Sequence, residues 1–424
     1  MKQDIICAAV PDAQELGAVV GEFLRTIRPE RQRLYDYYRG EQPVNKGEAV
    51  RGRPNNLLRA PFPRYITEVH TGYFLGLSPT IAYGDNMAGQ RYAALSRELN
   101  LPHLYFDVGR DLSICGAGFV LVWAERTGIK VCRCDPCDCF AIRSGDAGAP
   151  LLATVRLFGG GKGETRGILY TAEQLIPFAW DGNGVTLGTA EKNLLGTISL
   201  IPFYNNCQGC GDFEMVTGLV DAYNILLSGA LDDMQSVANA FLALYGMQGT
   251  TQKDIEQANR TRILSLSEGG RAEFVVKNLN HEALSQLEVN LRRSILQLSM
   301  TPDLCDEHFA GNTSGVALQY KLWGIEQVRS AKERAFTDGV CALLHALTAG
   351  ERLLGRSVDL TGGEMTFYKN LPQDNATLAN TLLSLSPVLS HQTILEHLPW
   401  VADAQEELRR KEKESEMPWA AVTA

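Results

Sequence analysis

Six of the ten cysteines in this 424-residue chain are spaced in a way that could do chemistry. Cys132, Cys134, Cys137 and Cys139 fall close together, and Cys207 and Cys210 form a C-x-x-C in a turn. Structural zinc is held by four thiolates, offered as close pairs on turns. Alternate residues of a strand face the same way, so Cys132/Cys134 and Cys137/Cys139 could each pinch one metal, or a mixed set could use Cys207 and Cys210. The other reading is reduced thiols, partly buried beside an Asp-Pro turn.

Other groupings fail tests of spacing. Gly159-Gly160-Gly161-Lys162-Gly163 has Arg at 156 and Gly at 163, where a phosphate loop needs Gly and Ser/Thr. It reads as a flexible hairpin. Gly116-Ala117-Gly118 has Leu at 121 in place of the third glycine of a dinucleotide fingerprint. Asp306-Glu307-His308 puts two acids beside an imidazole, but no HExxH accompanies it. Ser314 sits at an expected helix start, where hydroxyls cap backbone N–H groups. No catalytic constellation survives, so the expectation is a non-enzyme that requires no cofactor.

Composition agrees. Hydrophobic residues make up 45% and the net charge is −9, so the chain can bury a core and does not coat nucleic acid by counterion release. No apolar run approaches the ~20 residues of a membrane span. The acids Asp4, Asp12 and Glu15 argue against a secretory signal at the N-terminus, so the thiols are expected to be reduced or metal-bound.

The elements that must position these residues are read from periodicity. Residues 12–39 read as a helix, with Leu16, Val19, Val20, Phe23 and Ile27 at helical spacing and Gly40 as its stop. A proline-rich loop follows over 44–63, then a short helix from Arg64 to about Phe74. Between 22 and 64, ten Arg/Lys against five acids form the one basic stretch, which reads as a solvated surface. From about 117 to 205, short β-prone runs between Gly, Asn and Asp turns read as an antiparallel β region.

Near 213 the period changes. Leu219, Tyr223, Leu226, Ala230, Met234 and Val237 lie on one face of a long amphipathic helix. Asp221, Asn224, Ser228, Asp232, Gln235 and Asn239 lie on the other. Leu284, Leu287, Leu291, Ile295 and Leu298 mark a second helix that stops at Thr301-Pro302. A loop leads to a very long helix, about Ser314 to Leu354, which at ~1.5 Å per residue would span roughly 60 Å. A strand at Glu364–Tyr368 and helices over about 374–385 and 391–415 complete the chain.

In this order the chain resembles the portal proteins of long-tailed bacteriophages. The matching segments include Leu34-Tyr35-Asp36-Tyr37-Tyr38-Arg39-Gly40, Arg53-Pro54-Asn55-Asn56 and Gly72-Tyr73-Phe74-Leu75-Gly76. Ile201-Pro202-Phe203-Tyr204-Asn205-Asn206, Gly211-Asp212-Phe213-Glu214 and Leu219-Val220-Asp221-Ala222-Tyr223-Asn224 follow. Thr301-Pro302-Asp303 and Phe309-Ala310-Gly311-Asn312-Thr313-Ser314-Gly315-Val316-Ala317-Leu318 complete the series.

The resemblance implies a multi-domain, ring-forming α+β fold. It divides the chain into a wing (1–212), stem helix 1 (213–241), a small α/β clip (242–282), stem helix 2 (283–300) and a tunnel loop (301–313). A long tunnel helix (314–354), a wing return strand (355–372), crown helices (373–416) and a tail (417–424) follow. It implies a homo-oligomeric ring, most often of twelve subunits, at one capsid vertex of the virion, assembled in the host cytoplasm. The ring is the channel through which double-stranded DNA is packaged and ejected. Its implied partners are the terminase large subunit, head-completion or adaptor proteins, and the major capsid and scaffolding proteins; no membrane is involved.

Within that frame the stem assembly face is Leu219, Tyr223, Leu226, Ala230, Met234 and Val237. The clip docking surface is Lys253, Glu256, Arg260, Arg262, Glu268 and Arg271. Thr301, Asp303, Asp306, Glu307, His308, Asn312 and Thr313 would face DNA in the tunnel loop, where the acids would form a negative collar. The alternatives are a non-portal oligomeric capsid scaffold or adaptor, and a zinc-dependent enzyme.

Overall fold

The structure, a computed structural model, describes residues 3–47, 54–84, 86–159, 164–238, 241–245, 271–275, 281–304, 319–370, 382–396 and 404–416, with positions 251, 253, 256, 260, 398 and 401. It separates into two units, Met1–Lys369 and Asn370–Ala424.

The first unit opens with strand β1 (Ile5–Cys7) and a continuous helical run: α1 (Ala13–Glu22), a π-helical turn (Phe23–Ile27) and α2 (Arg28–Arg39). Asp12 and Glu15 form a capping box at its start. Pro29 cannot donate to the carbonyl one turn back, and the run absorbs it by widening to the π turn just before. Gly40, at φ +82°, ends it. The expected helix over 12–39 therefore forms, around an internal proline.

Helix α3 (Phe62–Leu75) and strand β2 (Thr80–Ala82) precede α4 (Asn86–Glu98) and α5 (Leu101–Cys115). The sequence pattern assigned no element to α4 or α5. Strands β3 (Ala117–Glu125), β4 (Gly128–Cys134), β5 (Cys139–Ser144), β6 (Leu151–Gly159), β7 (Thr165–Tyr170), β8 (Gln174–Trp180), β9 (Val185–Leu187), β10 (Glu191–Lys192) and β11 (Leu200–Tyr204) fill the expected β region.

They form two sheets. One is ordered β1-β5-β6-β7-β8-β10, with β9 also on β8; the other is β11-β3-β4. Every pair among the strands of 117–205 is antiparallel, as expected; β1, outside that region, joins β5 in parallel. Alternation explains the layering. Phe140, Ile142, Val155 and Leu157 pack on Leu16, Val20 and Phe23 of the N-terminal helix. The opposite faces bring Cys139 and Tyr170 against Phe119, Cys134 and Leu200 of the smaller sheet.

The basic stretch is not all solvated. Arg31 is only 1% exposed; it donates to the Cys139 carbonyl at 2.6 Å, to the Pro136 carbonyl and to Gln3. It works as a cap for the turn between β4 and β5.

Helix α6 (Thr217–Ala238), the strand pair β12 (Phe241–Tyr245) and β13 (Arg271–Val275), and helix α7 (His281–Leu298) follow. Then comes α8 (Trp323–Leu353), 31 residues long or roughly 46 Å. Positions 319–321 are helical and Leu322 makes a turn before α8; residues 305–318 lie outside the described residues, as does that part of the expected helix.

Phe336 of α8 sits at the centre of the largest core, with ring centroids 5.5 Å from Phe74, 5.8 Å from Tyr105 and 5.2 Å from Phe203. α8 lies on the smaller sheet at Gly339, where a Cβ would come within 2.4 Å of the Phe203 ring. Strand β14 (Glu364–Thr366) returns to pair with β2.

In the second unit, α9 (His391–Glu396) packs with α10 (Ala404–Glu416). The single helix expected over 391–415 is thus two, with Pro399 between them. Residues 371–381 and the tail 417–424 lie outside the described residues. Among the described residues no helix is long and apolar enough to cross a membrane.

Candidate functional site: the paired helices and their root

α6 and α7 lie side by side. Leu226, Ala230 and Met234 of α6 face Leu284 and Glu288 of α7 across a shallow groove of about 180 Å³. Three of the six expected assembly residues therefore line this groove. Leu219 and Tyr223 lie nearer the start of α6, in a core with Tyr37, Ile66, Phe213 and Ile295 of α7. Tyr223 also donates to Glu288 at 3.0 Å. Val237 lies on α6, with its side chain outside the described residues. Met234 stays 62% exposed, and Leu287 and Val289 are also open to solvent.

The polar face of α6 is not a solvent face. Asn224 and Ser228 are fully buried, beneath an irregular segment over 54–61. Backbone N–H groups of Ala60, Leu58 and Asn56 donate to Asn224, Ser228 and Asp232 at 2.8, 2.9 and 2.8 Å. Lys46 pairs with Asp232. Asp221 accepts from Tyr37 at 2.7 Å.

Of the expected docking residues, Lys253, Glu256 and Arg260 are each helical and exposed. Arg271 is exposed at the start of β13. Arg262 and Glu268 lie outside the described residues.

At the other end, α7 stops before Pro302 can act. Thr301 N–H bonds to the Leu296 carbonyl and Met300 N–H to the Gln297 carbonyl, a Schellman closure with Met300 at φ +53°. Thr301 is buried, and Tyr65 holds the next residues by donating to the Pro302 carbonyl at 2.9 Å. Asp303 pairs with Arg292 at 2.7 Å, so one of the three acids expected in the collar is already neutralised. Asp306, Glu307, His308, Asn312 and Thr313 lie outside the described residues.

Under this loop root lies a buried polar junction that spacing did not reveal. Asp212, just before α6, accepts from Lys332 of α8, from Ser113 at 2.5 Å and from Asn205 at 2.9 Å. His70 of α3 stands 4.0 Å from the same carboxylate. Its Nε2 faces the Ser299 carbonyl at 3.2 Å and the Thr301 hydroxyl at 3.0 Å. A carbonyl can only accept, so Nε2 carries the ring proton.

Burial lowers His70 to about 4, helped by Lys332 and opposed by Asp212, so the ring is neutral. Burial opposes the charged form of Asp212, but Lys332 and the Ser113 hydroxyl outweigh it and hold the carboxyl below its usual range. Four elements meet here and fix the position of Thr301, where the loop begins.

The thiols do not form the expected four-cysteine site. Cys132, Cys134 and Cys139 belong to the core between the two sheets, whereas Cys137 turns into the core under α2 and α6. The 3₁₀ turn at Pro136–Asp138 causes the split, because it breaks the strand alternation that would align Cys137 with Cys139. Among the described residues, no three His, Cys, Asp or Glu side chains gather as a metal site.

The sequence model described as "Phage portal protein, SPP1 Gp6-like" matches residues 24–418. The chain belongs to this family of phage portal proteins. It is 24% identical over 232 residues to the portal protein of Bacillus phage SPP1, covering 52% of this chain and 44% of that one. It is 23% identical over 221 residues to the portal protein of Clostridium phage phiCD119, covering 51% and 48%. The alignments thus span less than half the length of these relatives. The fold is similar to a chain in the neck of an empty GTA particle computed with C6 symmetry. That match has a TM-score of 0.52 and 10% identity, and covers 82% of this chain and 90% of the other.

Proposed function

We propose that this portal-family chain forms a ring at one capsid vertex, a channel for DNA packaging and ejection and a platform for terminase and head-completion proteins. The observation that carries the reading is the helix pair α6–α7, with the β12–β13 strand pair at one end and the anchored start of a loop, residues 301–304, at the other. In a single chain this pair leaves Met234, Leu287 and Val289 exposed, and neighbours in a ring would cover them. The helix pair serves as the stem, the strand pair with Lys253, Glu256, Arg260 and Arg271 as the docking rim, and residues 301–313 as the tunnel loop.

The conduit is passive. Each chain carries −9, and few tight phosphate contacts let DNA slide, because every such contact would act as a brake and add to the salt dependence. Nuclease protection of DNA in a packaging reaction with terminase tests this. Replacing Lys253, Glu256 and Arg260 together by Ala is expected to abolish protection with rings intact. Dissociated rings would instead make the segment an assembly element.

A further inference from the structure

We propose that Cys207 and Cys210 form a redox-active dithiol that closes reversibly to a disulfide and staples the root of α6. Cys207 is exposed and Cys210 half-buried. Both sit on one tight turn. Gly209 N–H bonds to the Asn206 carbonyl at 3.1 Å, with Gly209 at φ +72°. The Asn206 side chain accepts from Gln208 and Cys210 at 3.1 and 3.2 Å and donates to the Cys210 carbonyl at 2.9 Å. One asparagine thus folds 206–210 back on itself, the kind of tight turn that closing a C-x-x-C requires, since a disulfide needs Cα atoms about 4.4–6.8 Å apart.

The turn is seated so that a covalent link there reaches the stem. Gln3 donates to the Gly209 carbonyl at 2.5 Å, and a Cβ on Gly116 would stand 2.2 Å from that same oxygen. Two residues after Cys210 comes Asp212, in the buried junction with Lys332. Several of the other described thiols are poorly placed to compete. Cys115, Cys137 and Cys139 are buried, and burial pushes the Cys115 thiol up to about 12, which leaves it unreactive. Cys341 is exposed on α8, remote in sequence from the turn.

The oxidant is a small disulfide such as oxidised glutathione. The exposed Cys207 thiolate attacks one of its sulfurs, forming a mixed disulfide and releasing one glutathione thiolate. The Cys210 thiolate then attacks the Cys207 sulfur, forms the intrachain bond and releases the second glutathione. The chain gives up two electrons and two protons; glutathione disulfide takes the electrons and leaves as two thiols. A reducing host interior keeps the pair open, and release into an oxidising medium closes it.

The test treats the purified full chain with oxidised glutathione and reads intact mass and peptide maps. The expected result is a loss of about 2 Da, reversed by dithiothreitol, with a cross-linked peptide containing both residues. Cys210→Ser is expected to trap glutathione on Cys207, Cys207→Ser to abolish the change, and Cys341→Ser to leave it intact. A wild-type chain that keeps glutathione on Cys207, bonds Cys207 to Cys341 or to another chain, or retains both thiols would overturn the proposal.

Discussion

Ala60 donates its backbone N–H to the side-chain oxygen of Asn224 at 2.8 Å, and this bond is one rung of a ladder. Leu58 bonds to Ser228 and Asn56 to Asp232 in the same way. Four residues of a helix advance about 6 Å and two residues of extended chain about 6.6 Å, so the rungs stay in step. A stripe of polar helix side chains thus serves an extended segment as a neighbouring strand would.

Removing the buried acceptor in Asn224→Ala leaves the Ala60 N–H without its partner. The expected loss of unfolding free energy is about 1–3 kcal/mol, read by urea denaturation. A change under about 0.3 kcal/mol would make the ladder incidental.

The junction makes a second expectation. Lys332→Met strands the Asp212 carboxylate in the core, with an expected loss of about 3–5 kcal/mol. Adding Asp212→Asn is expected to restore part of it, because the buried charge goes too. Additive losses in the double variant would contradict the pairing.

The same junction sets a pH dependence. His70 is neutral in the fold, at about 4, against an ordinary value near 6.5. Between these values the unfolded chain takes a proton that the folded chain refuses, so stability falls as pH drops from about 6.5 to 4. The carboxyl of Asp212 is held low, so its contribution is lost below that window, in the same direction. His70→Gln is expected to flatten the upper part of the thermal-midpoint profile. An unchanged slope would place the acid sensitivity elsewhere.

Much of this is legible in the sequence, and the reasons for the rest are physical. Helices α6 and α7 show because one apolar face repeats over many turns. Helix α5 does not show, because Gly109 interrupts its apolar stripe; a Cβ at Gly109 would lie 2.3 Å from Leu75 of α3. Asn224 and Ser228 look solvent-facing because a helical wheel cannot show a segment arriving from 164 to 170 residues away. Lys332 could have been found. It sits on the stripe Ile325, Phe336, Val340, Leu343, Leu347 of α8, and a lysine in an apolar stripe asks for a buried anion. The thiols mislead because the 3₁₀ turn, not the strand period, sets the direction of Cys137.

The proposed tunnel loop carries the fourth expectation. Asp303 is paired with Arg292, so a collar formed there would rest its charge on Asp306 and Glu307. Replacing both by Lys is expected to slow DNA translocation and steepen its salt dependence, with ring formation normal. Packaging rates equal to wild type at low and high salt would remove the collar from the mechanism.

The ring itself is the central claim, and electron cryomicroscopy of the purified full chain tests it most directly. The expected image is a closed ring with an open axial channel, α6 and α7 packed against the neighbouring subunit, and residues 301–313 at the narrowest point. Leu226→Asp, a charge placed in the helix groove, is expected to leave only dispersed subunits on the same grids. Monomers at every concentration, or a closed assembly with no axial opening, would contradict the portal reading.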